Sequence, residues 1–72
     1  MGEEQQNLMS GLLDEIERVN NIINEYKNLP KGAGNLAAAI MELSVRQAKN
    51  AIRDNDVVKM IKAFGELKNY EL

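Results

Sequence analysis

The chain has 72 residues and contains neither cysteine nor histidine, which excludes disulfides, thiolate chemistry and the common zinc sites. The formal net charge is −2, and the apolar fraction of 44% includes seven alanines but only three aromatic residues. A domain this small buries only about 60% of the surface that its unfolded chain exposes. We therefore expect a single helical domain over residues 1–72 that gains stability by assembling into a homo-oligomer.

The first predicted element is an amphipathic helix over about residues 5–28. Its apolar side chains recur at steps of three and four, which is typical of one helix face: Leu8, Leu12, Ile16, Val19, Ile22, Ile23, Tyr26 and Leu29. Pro30 should end this helix, because the residue before a proline avoids helical dihedral angles. Residues 1–25 carry a net charge of −5 and residues 26–62 a net charge of +4. Either the acidic helix lies against the basic second helix, or the basic region binds an anion.

The segment that follows, residues 30–35, has the sequence PKGAGN and contains the only proline. It precedes a helix amino terminus, where free backbone N–H groups and the helix dipole favour anions. Glycines let a ligand approach the backbone, and a lysine supplies positive charge. The segment predicts a ligand site formed by Lys31, Gly32, Ala33, Gly34 and Asn35. The alternative is a plain turn that needs a positive φ at Gly32 or Gly34.

Three side chains outside this segment are candidates for the same site. Tyr26 lies one turn before it and either flanks the ligand or packs as a core aromatic. The side chains of Arg46 and Arg53 extend from the polar stripe of the second helix. We expect a second copy of the chain to bring one of them to the pocket. The alternative for these arginines and for Lys49 is solvation or ion pairing. Glu42 has the i, i+4 spacing to Arg46 that favours a helical ion pair.

The second predicted helix covers about residues 36–54, with Asn35 as its N-cap. Its apolar positions span about 200° of the helical wheel, more than one neighbouring helix can cover. Ser44, Gln47 and Ala48 fall inside this apolar arc, and a buried amide at Gln47 needs a hydrogen-bonding partner. We expect these three residues to form an interface with a second copy, and contact with a ligand is the alternative.

The third predicted helix covers about residues 57–69 and is capped by Asp56. Its predicted apolar face consists of Val57, Met60, Ile61, Phe64 and Leu67. The DND sequence of the preceding turn resembles the start of a calcium loop, but the glycine and the final glutamate of such a loop are missing. We therefore expect no metal and no cofactor. Catalysis would need carboxylates, lysine or a metal on oxygen ligands, and the acidic residues of the first helix lie mostly on its solvated side. We therefore do not expect an enzyme.

Nucleic acids and membranes are also unlikely partners by sequence. The second and third helices have the order of a helix-turn-helix, but the last helix offers few side chains that read bases, and the net charge is negative. No apolar run approaches the length of about 18 residues that a membrane span needs. We expect a soluble protein of the cytoplasm.

The stretches EYKNLPKGAGNLAAAIM and AIRDNDVVKMIKAFGELKN resemble small helical proteins of phages and prophages. The resemblance covers about residues 23–69 and lies in the order of tyrosine, proline–glycine loop, helix, short turn and final helix. Some helical phage proteins form oligomers that sequester the cyclic nucleotides of host defence. The resemblance thus implies an anionic nucleotide as ligand and the host cytoplasm as location. The alternative that it leaves open is an interaction module or inhibitor that docks a host protein through a helical face.

Overall fold

A computed structural model describes the backbone of residues 3–71 and the side chains of residues 7–71. Within these residues it forms three α-helices, α1 (Glu3–Lys27), α2 (Asn35–Arg53) and α3 (Val57–Lys68), and a 3₁₀ turn over Pro30–Gly32. The prediction of an all-helical fold with three helices is confirmed. Each predicted helix end lies within two residues of the observed one.

The helices form an elongated bundle of 47 × 16 × 16 Å in which each helix contacts the other two. One core runs along the bundle and consists of Leu12, Ile16, Val19, Ile22, Ile23, Ala38, Met41, Val45, Ala48, Ala51, Met60, Ala63 and Leu67. The α1 members follow the predicted stripe. On α2 and α3, four of the eight core residues are alanines, which lets the helices approach closely and keeps the bundle thin.

Part of the predicted apolar face of α3 is wrong. Val57 and Ile61 are 39% and 58% exposed, whereas Ala63 is buried beside Met60 and Leu67. Leu29, at the end of the α1 stripe, is also exposed at 44%. Because α3 packs on two helices through a narrow face, small Ala63 enters the core and the bulkier Ile61 stays outside.

The junction between α1 and α2 differs from the predicted one. The helix α1 ends at Lys27, three residues before Pro30, and Pro30 instead opens the 3₁₀ turn. Asn35 is not the N-cap, because α2 already includes Asn35 and the N-cap position is Gly34, which has no capping side chain. The prediction of a cap at Asn35 is therefore wrong by one residue, and its side chain makes no cap hydrogen bond.

Hydrogen bonds fix both ends of α3. At its start the Asp56 carboxylate accepts a hydrogen bond from the backbone N–H of Lys59 at 3.1 Å, which confirms the predicted cap. At its end the guanidinium of Arg18 in α1 donates to the carbonyl oxygens of Leu67 and Tyr70 at 2.8 and 2.7 Å. Arg18 is itself oriented by Glu15, with 2.9 Å between Nη2 and Oε1. The chain therefore ties α3 to α1 through backbone carbonyls.

The ion pairs differ from those expected from the charge pattern. Glu42 does not pair with Arg46 along α2 but with Lys27 of α1, at 2.9 Å between Nζ and Oε2. Among the described side chains, no acid of α1 pairs with a base of α2; Glu15 bonds Arg18 of its own helix. The acidic helix α1 does lie against the basic helix α2, as one of the two interpretations of the charge pattern has it, but without such ion pairs between them. Both partners of the Lys27–Glu42 pair are about half exposed, so it adds little stability.

Candidate functional site

The amino-terminal end of α2 keeps the features that predicted an anion site. The first bond into the helix joins the N–H of Ala38 to the carbonyl oxygen of Gly34 at 2.9 Å. The N–H groups of Asn35, Leu36 and Ala37 therefore have no acceptor within the helix. The first turn contains no acidic side chain and no side-chain cap. Asn35 and Leu36 are exposed, and these donors lie at the positive end of the helix dipole.

The loop before this helix end has a defined backbone conformation. Lys31 and Gly32 both adopt positive φ angles, 59° and 70°. The N–H of Ala33 donates to the carbonyl oxygen of Pro30 at 3.2 Å. Lys31, Gly32 and Ala33 are exposed. A left-handed lysine is uncommon and costs about 1–2 kcal/mol relative to a right-handed one, yet it leaves the lysine side chain on the surface beside the start of α2.

Gly34 has a role that the sequence interpretation missed. Its φ is −99°, so it does not need the conformational freedom of glycine. A Cβ at this position would instead collide with the carbonyl oxygen of Tyr26. Gly34 lets the start of α2 rest directly against the last turn of α1. The positive φ of Gly32 and the tight packing of Gly34 account for both glycines without a ligand.

Tyr26 contributes its backbone to this junction, whereas its side chain packs against the core. The Tyr26 hydroxyl donates to the carbonyl oxygen of Glu71 at 3.4 Å. The core-aromatic alternative therefore describes its side chain.

Within one chain, Arg46 and Arg53 are far from the loop. At 1.5 Å per residue they lie about 16 and 27 Å along the helix from Asn35. Arg53 bonds Asp54 at 3.3 Å. Arg46 lines a shallow groove of about 240 Å³ together with Asn20, Glu42, Val45 and Lys49. Either arginine can reach a loop site only from another copy of the chain.

The three residues predicted to form an interface are split by the fold. Ala48 is fully buried and Ser44 is 8% exposed, and the Ser44 Oγ lies 2.8 Å from the Tyr70 hydroxyl of the same chain. Both side chains are therefore enclosed by their own bundle. Gln47 is exposed in the single chain, so its own bundle does not bury its amide, and its contact with a second copy stays a prediction. Gln47 lies on a part of the apolar arc of α2 that α1 and α3 leave uncovered.

A row of large aliphatic side chains remains uncovered on α2. Leu36, Ile40 and Leu43 are 76%, 51% and 51% exposed, and Gln47 continues their spacing of four, three and four residues. We call these four residues the α2 row. The width of the apolar arc indicated that α2 needs more neighbours than one, but it did not show which residues would remain outside the core.

A groove of about 440 Å³ lies between α2 and α3. Small Ala51 and Ala63 form its floor, and its rim is polar, with Gln47, Asn50, Asp54, Lys59, Lys62 and Glu66. The rim contains two acidic and two basic side chains. This groove therefore has no net charge that would select an anion, in contrast to the start of α2.

Two other kinds of site are not found in the described part of the chain. Its acidic side chains form no group of three or more that is placed to hold a metal ion. None of its helices is both long enough and apolar enough to cross a lipid bilayer. No family model matches the chain, and no curated protein or solved structure matches it either.

Proposed function

We propose that this chain is a non-catalytic binding protein that works as a homo-oligomer and takes up an anionic nucleotide at the amino-terminal end of α2. One observation carries the proposal. Leu36 belongs both to the uncapped first turn of α2 and to the exposed α2 row. A second copy that covers the row therefore approaches the free N–H groups at the same end of the helix.

The chemistry of this helix end suits a phosphate. Backbone N–H groups and the helix dipole favour negative charge, and Lys31 stands beside them without an ion pair among the described side chains. The resemblance of residues 23–69 to phage proteins supports a cyclic nucleotide of host defence as the ligand. The three N–H donors do not distinguish one anion from another. The nucleotide panel described below identifies which one binds.

A second candidate function is a helical interaction module or inhibitor that docks a host protein. The exposed α2 row favours it, because contiguous apolar side chains on a small protein mark a contact surface. Burying the exposed parts of its three aliphatic residues would contribute about 3–5 kcal/mol before the cost of association. This candidate does not need the uncapped helix end or Lys31.

Thermal melting with a panel of cyclic and linear nucleotides separates the two candidates. A ligand present at 100 times its dissociation constant adds about 2.7 kcal/mol to the free energy of unfolding. For a domain of this size that raises Tm by roughly 10–20 °C. A panel that leaves Tm unchanged rules out nucleotide uptake. Capture of a host protein by the wild-type chain, and not by a Leu43→Glu variant, would then support the second candidate.

Three variants locate the binding site. Lys31→Ala should weaken nucleotide binding and leave Tm nearly unchanged, because an exposed lysine contributes little to folding. Gly34→Val should weaken nucleotide binding and also lower Tm, because the valine side chain would collide with the Tyr26 carbonyl group. Lys59→Ala is the matched control, since it removes an equally exposed lysine from another helix. Full binding by Lys31→Ala would identify the loop as a plain turn.

A further inference from the structure

The shallow groove between α1 and α2 has an unbalanced charge. Its walls are formed by Asn20 on α1 and by Glu42, Arg46 and Lys49 on α2, and Val45 also lines it. Arg46 and Lys49 are exposed, and neither makes an ion pair among the described side chains. The groove therefore contains two cations that no described side chain neutralises.

The only carboxylate among the lining residues is already paired. Glu42 has the i, i+4 spacing for an ion pair with Arg46, but its Oε2 lies 2.9 Å from the Nζ of Lys27 on α1. That pair cancels its own two charges and leaves those of Arg46 and Lys49 in place. The α1 residue that lines the groove is the uncharged Asn20, so no acid of α1 compensates for them there.

We propose that this groove binds a tetrahedral oxyanion with two negative charges, the chemistry of a phosphate monoester. The guanidinium of Arg46 is a planar fork that can donate to two oxygens, and the ammonium group of Lys49 is a compact charge for a third. Because these residues are three apart on α2, their Cβ atoms lie about 5–6 Å from each other and both side chains can reach one ion. The amide of Asn20 can donate from the opposite wall.

The donors and the wall beneath them favour a phosphate over a carboxylate. A carboxylate has one charge and two oxygens, so it would use only some of the donors. Val45 is 5% exposed and provides an apolar wall that offers no competing acceptor. Such a wall also lowers the local dielectric constant, which strengthens the attraction of both cations for the ion.

This site is separate from the one proposed at the start of α2. Arg46 lies about 16 Å along the helix from Asn35 at 1.5 Å per residue, so one phosphate group cannot contact both ends. All the donors of the groove belong to a single chain, and the site needs no second copy. The inference therefore does not rest on the proposed function, and either site can be occupied while the other is empty.

An NMR titration with dianionic inorganic phosphate locates the ion. Saturable shifts in the millimolar range are expected for the backbone amides of Arg46 and Lys49 and for the side-chain amide of Asn20. Acetate at the same ionic strength should bind about fivefold more weakly, because it offers one charge and two oxygens. Shifts confined to residues 32–37 would place the ion at the start of α2 and overturn the inference, as would the absence of saturation.

Two further probes separate the sources of the phosphate group. Glycerol 3-phosphate carries it on a small soluble molecule, and vesicles with phosphatidic acid carry it on a membrane surface. Because the groove offers charged donors for one ion, glycerol 3-phosphate should shift the same amides as inorganic phosphate. Sedimentation of the chain with the vesicles, together with no response to glycerol 3-phosphate, would overturn a site for a small ligand.

Charge variants test the donors in both directions. Arg46→Gln and Lys49→Gln should each weaken phosphate binding about fivefold. Glu42→Gln should strengthen it about twofold, because it removes the carboxylate of the groove and frees Lys27. Lys62→Gln is the matched control, since it removes an exposed lysine of α3 with the same change in net charge. Equal weakening by Lys62→Gln would overturn the inference, as would unchanged affinity in both Arg46→Gln and Lys49→Gln.

Discussion

The guanidinium of Arg18 donates a hydrogen bond of 2.8 Å to the carbonyl oxygen of Leu67, 49 residues further along the chain. The last carbonyl groups of a helix have no intrahelical donor and carry partial negative charge. Arg18 adds a charged donor to the Leu67 carbonyl, which also accepts from the Tyr70 N–H at 3.1 Å, and it donates to the carbonyl of Tyr70 as well. Glu15 keeps its planar fork in place. A side chain of α1 therefore binds the carbonyl groups at the carboxyl end of α3.

Replacing Arg18 should destabilise the chain more than replacing any other arginine. Arg18→Met keeps most of the aliphatic volume but removes the Arg18 donor from the Tyr70 carbonyl and leaves the Leu67 carbonyl only backbone donors such as the Tyr70 N–H at 3.1 Å, so we expect a loss of about 1–2 kcal/mol. In urea denaturation this lowers the midpoint by roughly 1–2 M. Arg53→Ala is the control, because the Arg53 side chain is 71% exposed and should change the midpoint little. Equal losses in the two variants would show that the carbonyl contacts do not stabilise α3.

Two glycines should respond in opposite ways to alanine. At Gly34 the added methyl group meets the Tyr26 carbonyl, and backbone cannot move aside as a side chain can, so Gly34→Ala should cost about 3 kcal/mol. At Gly65, inside α3, the added methyl group meets nothing within 4 Å. Gly65→Ala should therefore raise the free energy of unfolding by about 0.5–1 kcal/mol. Thermal denaturation of both variants checks the pair, and stabilisation by Gly34→Ala would contradict the close approach of the two helices.

The hydrogen bond between Ser44 and Tyr70 should appear as coupling between the two side chains. Tyr70→Phe and Ser44→Ala each remove one partner of a 2.8 Å contact. The remaining buried hydroxyl must then find a weaker partner, so each variant should lose about 1 kcal/mol. The double variant should lose clearly less than the sum, with a coupling energy of about 0.5–1 kcal/mol. Additive losses in a double-mutant cycle would show that the two hydroxyl groups act independently.

The two helix starts should differ in their response to removal of a polar side chain. Asp56→Ala removes the acceptor of the Lys59 N–H and should cost about 1 kcal/mol. Asn35→Ala removes no cap bond, so it should change the free energy of unfolding by less than about 0.5 kcal/mol. Chemical denaturation gives both values. A large loss of unfolding free energy in Asn35→Ala, without one in Asp56→Ala, would show that the Asn35 side chain caps α2.

Local patterns predicted those parts of the fold that local chemistry decides. The spacing of Leu12, Ile16 and Val19 follows from helix geometry, and these residues are in the core. The cap at Asp56 was predictable because a side chain of the right type precedes an apolar run. In both cases the residues that interact lie within two helical turns of each other.

The features that depend on contacts between distant parts of the chain were not predictable in this way. Arg18 has the spacing of a solvated surface residue, and nothing near it indicates that Leu67 will receive its hydrogen bonds. Gly34 was considered for a positive φ angle, but what requires a glycine there is the close Tyr26 carbonyl group. The wheel of α2 showed a wide apolar arc, and only the positions of α1 and α3 decide that Leu36 and Ile40 remain outside.

The elongated shape of the bundle, 47 × 16 × 16 Å, has a consequence for rotational diffusion. A rod tumbles slowly end over end and quickly about its long axis, and N–H bonds in a helix point along the helix axis. The helical amides should therefore show faster transverse ¹⁵N relaxation than amides whose N–H bonds lie across the long axis. A second copy lying beside α2 would widen the rod more than lengthen it. If the chain pairs in this way, dilution to the monomer should shorten the overall correlation time and at the same time increase the anisotropy of tumbling.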